Sequence, residues 1–172
     1  MKSQPDFQKL FFEFFGPSPK KVTYKVRPDS NRKHDLIFLD SLIHEARINP
    51  GKMKIQKKRL TLTLNRDCWE LGLVECKKGF ELYVADSQLT IYPISEVKWC
   101  FQNNYLVKTG KDLWIRNLVL ERSGIEMPRI ILEGLNWSFH VQVTREDFTM
   151  KLQDVENPYL FSQKGKASRR RP

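Results

Sequence analysis

The chain has 172 residues and a formal net charge of +10, with 40% hydrophobic and 12% aromatic content. That composition suits one domain with its own core and excludes a disordered or collagen-like chain. No apolar run approaches the ~20 residues of a membrane-spanning helix.

Residues 1–34 read as a basic, aromatic arm. Phe7, Leu10, Phe11, Phe14 and Phe15 fall at helical spacing, and Gly16-Pro17-Ser18-Pro19 stops that pattern. Gln8, Lys9 and Glu13 interrupt the apolar stretch, so it is not read as a secretion signal. A globular domain is expected over 35–161. It opens with a helix over Asp35–Arg47, whose stripe is Leu36, Leu39, Ile43 and Ala46, widened by Phe38 and Leu42 and ended by Asn49-Pro50-Gly51.

From Leu60 the period changes to two, with Leu60, Leu62 and Leu64 alternating with Thr61 and Thr63. Lys78-Gly79 separates Leu71–Cys76 from Phe80–Ala85 as a hairpin, and Asp86-Ser87 reads as a turn into Leu89–Ile94. Val97, Trp99 and Phe101 alternate in the next strand; Thr109-Gly110 joins Tyr105–Lys108 to Leu113–Leu120. Gly134-Leu135-Asn136 joins Arg129–Glu133 to Trp137–Val143, where Trp137, Phe139, Val141 and Val143 share one face. Thr144-Arg145-Glu146-Asp147 fits a capping box, and Phe148, Leu152 and Val155 continue at helical spacing. The spacing thus predicts a helix over Arg145–Val155, with Phe148, Met150 and Leu152 as a competing strand. Residues 162–172 are expected as a disordered basic tail. Short connections force antiparallel neighbours. The predicted class is mainly β (a β-rich α+β fold): a single antiparallel meander of about 7–9 short strands forming a sandwich or barrel with one or two packed helices.

The excess positive charge lies in three short segments of +5 each: residues 18–34, residues 51–59 and the tail from Gln163. These read as loops or tails that could release counterions from a phosphate backbone. The candidate anion-binding residues are Lys20, Lys21, Lys52, Lys54, Lys57, Lys58, Arg59, Arg169, Arg170 and Arg171. Solubilising surface charge is the competing reading. Trp114-Ile115-Arg116 is the one fair sequence candidate for a base-stacking aromatic, since Trp99 belongs to a core-facing alternation.

Chemistry-bearing motifs are sparse. His34, Asp40, His44 and Glu45 form the best acid–base or metal-ligating grouping, because Asp40 and His44 share a helix face at i, i+4. No G-x-S-x-G, Gly-rich phosphate loop or zinc-finger spacing occurs. Cys68, Cys76 and Cys100 lack framework spacing and are expected as free thiols of a cytoplasmic protein. The leading expectation is a non-enzymatic binding module that contacts nucleic acid or an acidic protein through basic loops, with no cofactor. A strand meander closed by a C-terminal helix also resembles pleckstrin-homology-like architecture, which implies a headgroup site at Lys52–Arg59. The tryptophan usual in such a closing helix has no counterpart between Arg145 and Val155. A metal-dependent hydrolase built on His34, Asp40, His44 and Glu45 is the remaining alternative.

Overall fold

Leu60, Leu62 and Leu64 are buried while Thr61, Thr63 and Asn65, which alternate with them, are half-exposed, as in a strand with one face on a core. The structure, a computed structural model, describes residues 19–27, 33–76, 79–102, 112–122 and 127–160. That strand is β4 (Arg59–Asp67), and it pairs antiparallel with the long β6 (Gly79–Tyr92). The larger sheet runs in the order β1 (Thr23–Val26), β12 (Thr149–Asp154), β6, β4, β2 (Arg47–Ile48), β8 (Leu113–Trp114). Three further strands join it: β3 (Lys54–Gln56) beside β4, and β5 (Leu73–Cys76) and β13 (Tyr159–Leu160) beside β6.

After Pro93 the chain enters the smaller sheet, ordered β7 (Ile94–Phe101), β11 (Trp137–Val143), β10 (Arg129–Gly134), β9 (Asn117–Glu121). The thirteen described strands thus form two antiparallel sheets over one core, a sandwich rather than a closed barrel. Leu60, Leu62, Leu89, Ile91 and Leu152 face it from the larger sheet, and Ile130, Leu132, Phe139, Val141 and Val143 from the smaller. Trp99 packs on Phe139 at 4.3 Å and on Trp137 at 5.6 Å between ring centroids, which places it on the core side as its alternation predicts.

Helix α1 (Lys33–Ile43) contributes Leu39, Leu42 and Ile43 to the core. It stops four residues short of the expected end. Glu45 takes a left-handed φ of 60°, its N–H donates to the Ile115 carbonyl, and Arg47 and Ile48 join the sheet as β2. Leaving the helix lets Ala46 and Ile48 bury fully.

Residues 145–155 contain no helix. Phe148, Met150 and Leu152 are all fully buried, and β12 inserts between β1 and β6. Period two wins here because the sheet supplies ladder partners on both sides. The capping-box residues instead form an exposed turn closed by Arg145 and Asp147 at 2.7 Å. With no helix there, the closing element behind the pleckstrin-homology likeness is a strand. Asp86-Ser87 is likewise no turn, for β6 runs through it. The segment 52–59 is a hairpin rather than an open loop: η1 (Pro50–Lys52), β3, and a tight turn at Lys57-Lys58. Thr23–Val26, within the expected arm, is an ordered edge strand. The expected Phe7–Phe15 helix, the Tyr105–Lys108 strand and the basic tail lie outside the described residues.

Candidate anion-binding surface

Because Met150, Leu152, Leu60, Leu62, Leu89 and Ile91 face the core, the residues between them line the opposite, solvent side of the larger sheet. Cross-strand pairing fixes which of them stand abreast. Lys25 pairs with Lys151, Lys151 with Thr90, Thr90 with Thr61, and Thr61 with Lys54. One row across β1, β12, β6, β4 and β3 therefore reads Lys-Lys-Thr-Thr-Lys. The next row towards the far end is Thr23, Gln153, Gln88 and Thr63. On the other side stand Thr149 and Tyr92, then Arg59 and Gln56, with Arg27 following β1 beside Thr149. No carboxylate occurs in these three rows. Lys25, Lys54, Lys151, Arg27 and Arg59 form no ion pair among the described residues.

The Arg59 guanidinium lies 5.6 Å from the Tyr92 ring centroid, and Tyr92 remains 46% exposed. Beyond Tyr92 a cavity of about 460 Å³ is lined by Arg27, Tyr92, Pro93, Glu146 and Thr149 among others. Asp147 on its rim is already paired with Arg145. At the hairpin tip Lys57 and Lys58 both take left-handed φ, 46° and 61°, as a two-residue type I′ turn requires. Both are exposed.

Of the cations singled out by the charge pattern, Lys54 and Arg59 stand on this face and Lys57 and Lys58 at its edge. Lys20 and Lys21 are exposed in the lead-in to β1, where the Lys21 N–H donates to Asn157 Oδ1 at 3.0 Å. Lys52 ends η1, and Arg169, Arg170 and Arg171 lie outside the described residues. Lys25 and Arg27 lie in the basic segment 18–34 but are not among the candidate residues named from the sequence, and Tyr92 and Lys151 were missed altogether. The signal for Lys151 was its place between Met150 and Leu152 in the strand reading that came second. Trp114 is 53% exposed beneath Arg47, but it borders a cavity that also holds Asp67 and Glu81, away from the basic rows.

Two of the four residues of the metal or hydrolase reading, Asp40 and His44, tie α1 and its end to the segment that leads into the smaller sheet. Asp40 Oδ1 accepts from the Leu118 N–H at 2.6 Å, and His44 Nδ1 contacts the Arg116 carbonyl at 2.7 Å. His34's side chain is outside the described set. Among the described residues, no group of three His, Cys, Asp or Glu is placed to hold a metal. On the outer face of the smaller sheet, Ser138 Oγ and His140 Nε2 stand 2.9 Å apart, with Cys100 opposite Ser138. Among the described residues no buried side-chain nitrogen or oxygen lacks a hydrogen-bond partner.

No helix of the described residues is long and apolar enough to cross a membrane. No family model matches the chain, and no curated protein or solved structure matches it either.

Proposed function

We propose that this protein is a binding module for nucleic acid, which it holds by the phosphate backbone on the outer face of the larger sheet. The observation that carries this reading is the Lys25–Lys151–Thr90–Thr61–Lys54 row. Like charges placed abreast on a sheet repel and weaken it. A row of cations with no carboxylate to neutralise it is stabilised when a polyanion supplies the countercharge and releases its own counterions. The threonines and glutamines between the cations add hydroxyl and amide groups that hydrogen-bond phosphate and sugar oxygens without reading bases.

The test is a fluorescence anisotropy titration of a labelled mixed-sequence oligonucleotide at several salt concentrations. Five cations on the face, Arg27, Lys25, Lys54, Arg59 and Lys151, give an expected slope of log K against log salt of roughly −3.5 on a single strand. Changing Lys25, Lys54 and Lys151 together to Ser should flatten that slope by about 2 without lowering the melting temperature, because all three side chains lie outside the core and the Lys25–Lys151 repulsion is relieved. No binding at ~50 mM salt, where the electrostatic attraction is strongest, sinks the reading. Tighter binding to an acidic polypeptide than to the oligonucleotide would reassign the face to an acidic protein.

A further inference from the structure

Resting on that reading, we infer that the bound nucleic acid is single-stranded and that one of its bases stacks at Tyr92, on the platform Tyr92 forms with Arg59. Phosphate attraction alone does not distinguish strand from duplex, but the aromatic ring does. Tyr92 is the aromatic side chain within the basic rows, it is 46% exposed, and a guanidinium stands 5.6 Å from its centroid. Tyrosine and arginine planes both accept an unpaired base, and every base has a π-face, so such a platform tolerates any sequence. In a duplex the π-faces are buried in the stack, and Tyr92 would meet only the sugar-phosphate edge.

The surroundings fit an unpaired base. The cavity beyond Tyr92, about 460 Å³, lies within the ~300–1,000 Å³ range of small-molecule sites. Its wall offers a phosphate the Arg27 guanidinium; of the carboxylates beside it, Asp147 is paired with Arg145 and Glu146 is exposed. Duplex readers insert a helix or a ribbon into the major groove. Here helix α1 presents Ile37 and Phe38 to solvent, 65% and 49% exposed, and the one basic ribbon among the described residues, β3–β4, is part of the larger sheet, with Lys54 and Arg59 in the rows of its face. The face itself is a broad sheet with charge spread in rows, which suits a strand laid across it.

The experiment compares wild type with Tyr92→Ala and Tyr92→Phe on three probes: a single-stranded oligonucleotide, the same sequence as duplex, and heparin, a polyanion without bases. Tyr92 is half-exposed and off the core, and thermal melts check that each variant is folded. Tyr92→Ala should weaken the single strand by about 5- to 100-fold, the loss expected for one stacked base. Tyr92→Phe should restore it, and heparin binding should not change. Wild type should prefer the single strand to the duplex at equal salt. Equal affinity of Tyr92→Ala and wild type for the single strand would overturn the stacking, as would a duplex bound as tightly as the strand. In both cases heparin binding would persist and the anion-binding face would stand. If neither oligonucleotide nor heparin binds wild type, the face itself is refuted.

Discussion

Arg66 and Asp154 meet at the end of the core with both side chains fully buried and their charged atoms 3.2 Å apart. Arg66 Nε and Nη2 donate to Asp154 Oδ1, and Nη2 also reaches Oδ2. Ser87 Oγ donates to the same carboxylate at 2.7 Å, and the Val22 N–H reaches it at 3.2 Å. Glu70 takes the remaining arm of the guanidinium at 2.7 Å. Burial opposes the Arg66 charge, yet its negative neighbours outweigh burial and hold its pKa above the ordinary value. The network ties β4, β6 and β12 together where the leucine alternation ends.

Removing one member should therefore cost more than removing the pair. Arg66→Met leaves Asp154 buried without its counter-ion, and a loss of ~3–5 kcal/mol is expected in urea titration. Joint replacement of Arg66 by Met and Asp154 by Leu should cost less than the single change. A single-variant loss below ~1 kcal/mol would mean that Asp154 finds water, and the network would not anchor these strands.

Asp40 tests whether the acidic and histidine grouping on α1 is structural. Asp40→Ala strands the Leu118 N–H and should cost ~1–3 kcal/mol, while Asp40→Asn keeps an acceptor and should cost less. Burial raises the Asp40 pKa above 3.8, against the opposing pull of the Leu118 N–H and His44. A raised folded-state value means that the carboxyl favours the fold most when protonated, and this contribution is lost as pH rises through the folded value. Asp40→Asn should thus gain on wild type as pH climbs from below 3.8 towards neutrality. A constant difference across that range would show that Asp40 is not desolvated.

Strand periodicity was legible wherever one face is solvated, as in Leu60–Leu64 and Trp137–Val143. It failed where polar residues face inward. Ser87 is fully buried because Asp154 accepts its hydroxyl, yet Asp86-Ser87 reads as a turn to any rule based on polarity. Arg66 continues the Leu60, Leu62, Leu64 parity, but its guanidinium gives no sequence hint of the distant partner Asp154. The binding face was half legible: Lys54 and Arg59 stand in a dense run, whereas Lys25, Lys151 and Tyr92 join them only through pairing of strands far apart in the chain.

The two described thiols should differ in reactivity. Burial pushes Cys68 up to about 12, and its side chain is inaccessible, while Cys100 is half-exposed. Alkylation under native conditions near pH 8 should modify Cys100 and leave Cys68 until the protein unfolds, because the thiolate is the reactive form; peptide mass mapping reads this directly. Stability should fall as pH rises from 9, where an unfolded thiol ionises, towards 12, with Tyr24 acting in the same direction because burial raises its pKa too. Cys68→Ala should flatten that alkaline decline. Early labelling of Cys68 in the folded protein would contradict its burial.

Lys57 and Lys58 set a stability cost against a charge gain. Both central residues of the β3–β4 turn have left-handed φ, which suits Asn-Gly and strains a β-carbon-bearing lysine by roughly 1 kcal/mol or more. Lys57→Asn with Lys58→Gly should keep the Lys54–Thr61 and Gln56–Arg59 register and raise stability by about 1 kcal/mol in denaturant titration. It also removes two cations from the edge of the basic face. If they touch phosphates, the salt slope on a single strand should flatten by about 1.4 and affinity at low salt should fall. A variant that is more stable and weaker in binding would show that this turn keeps its strain for its charge. A variant that is more stable and binds as wild type would place the turn outside the footprint and confine binding to Lys25, Arg27, Lys54, Arg59 and Lys151.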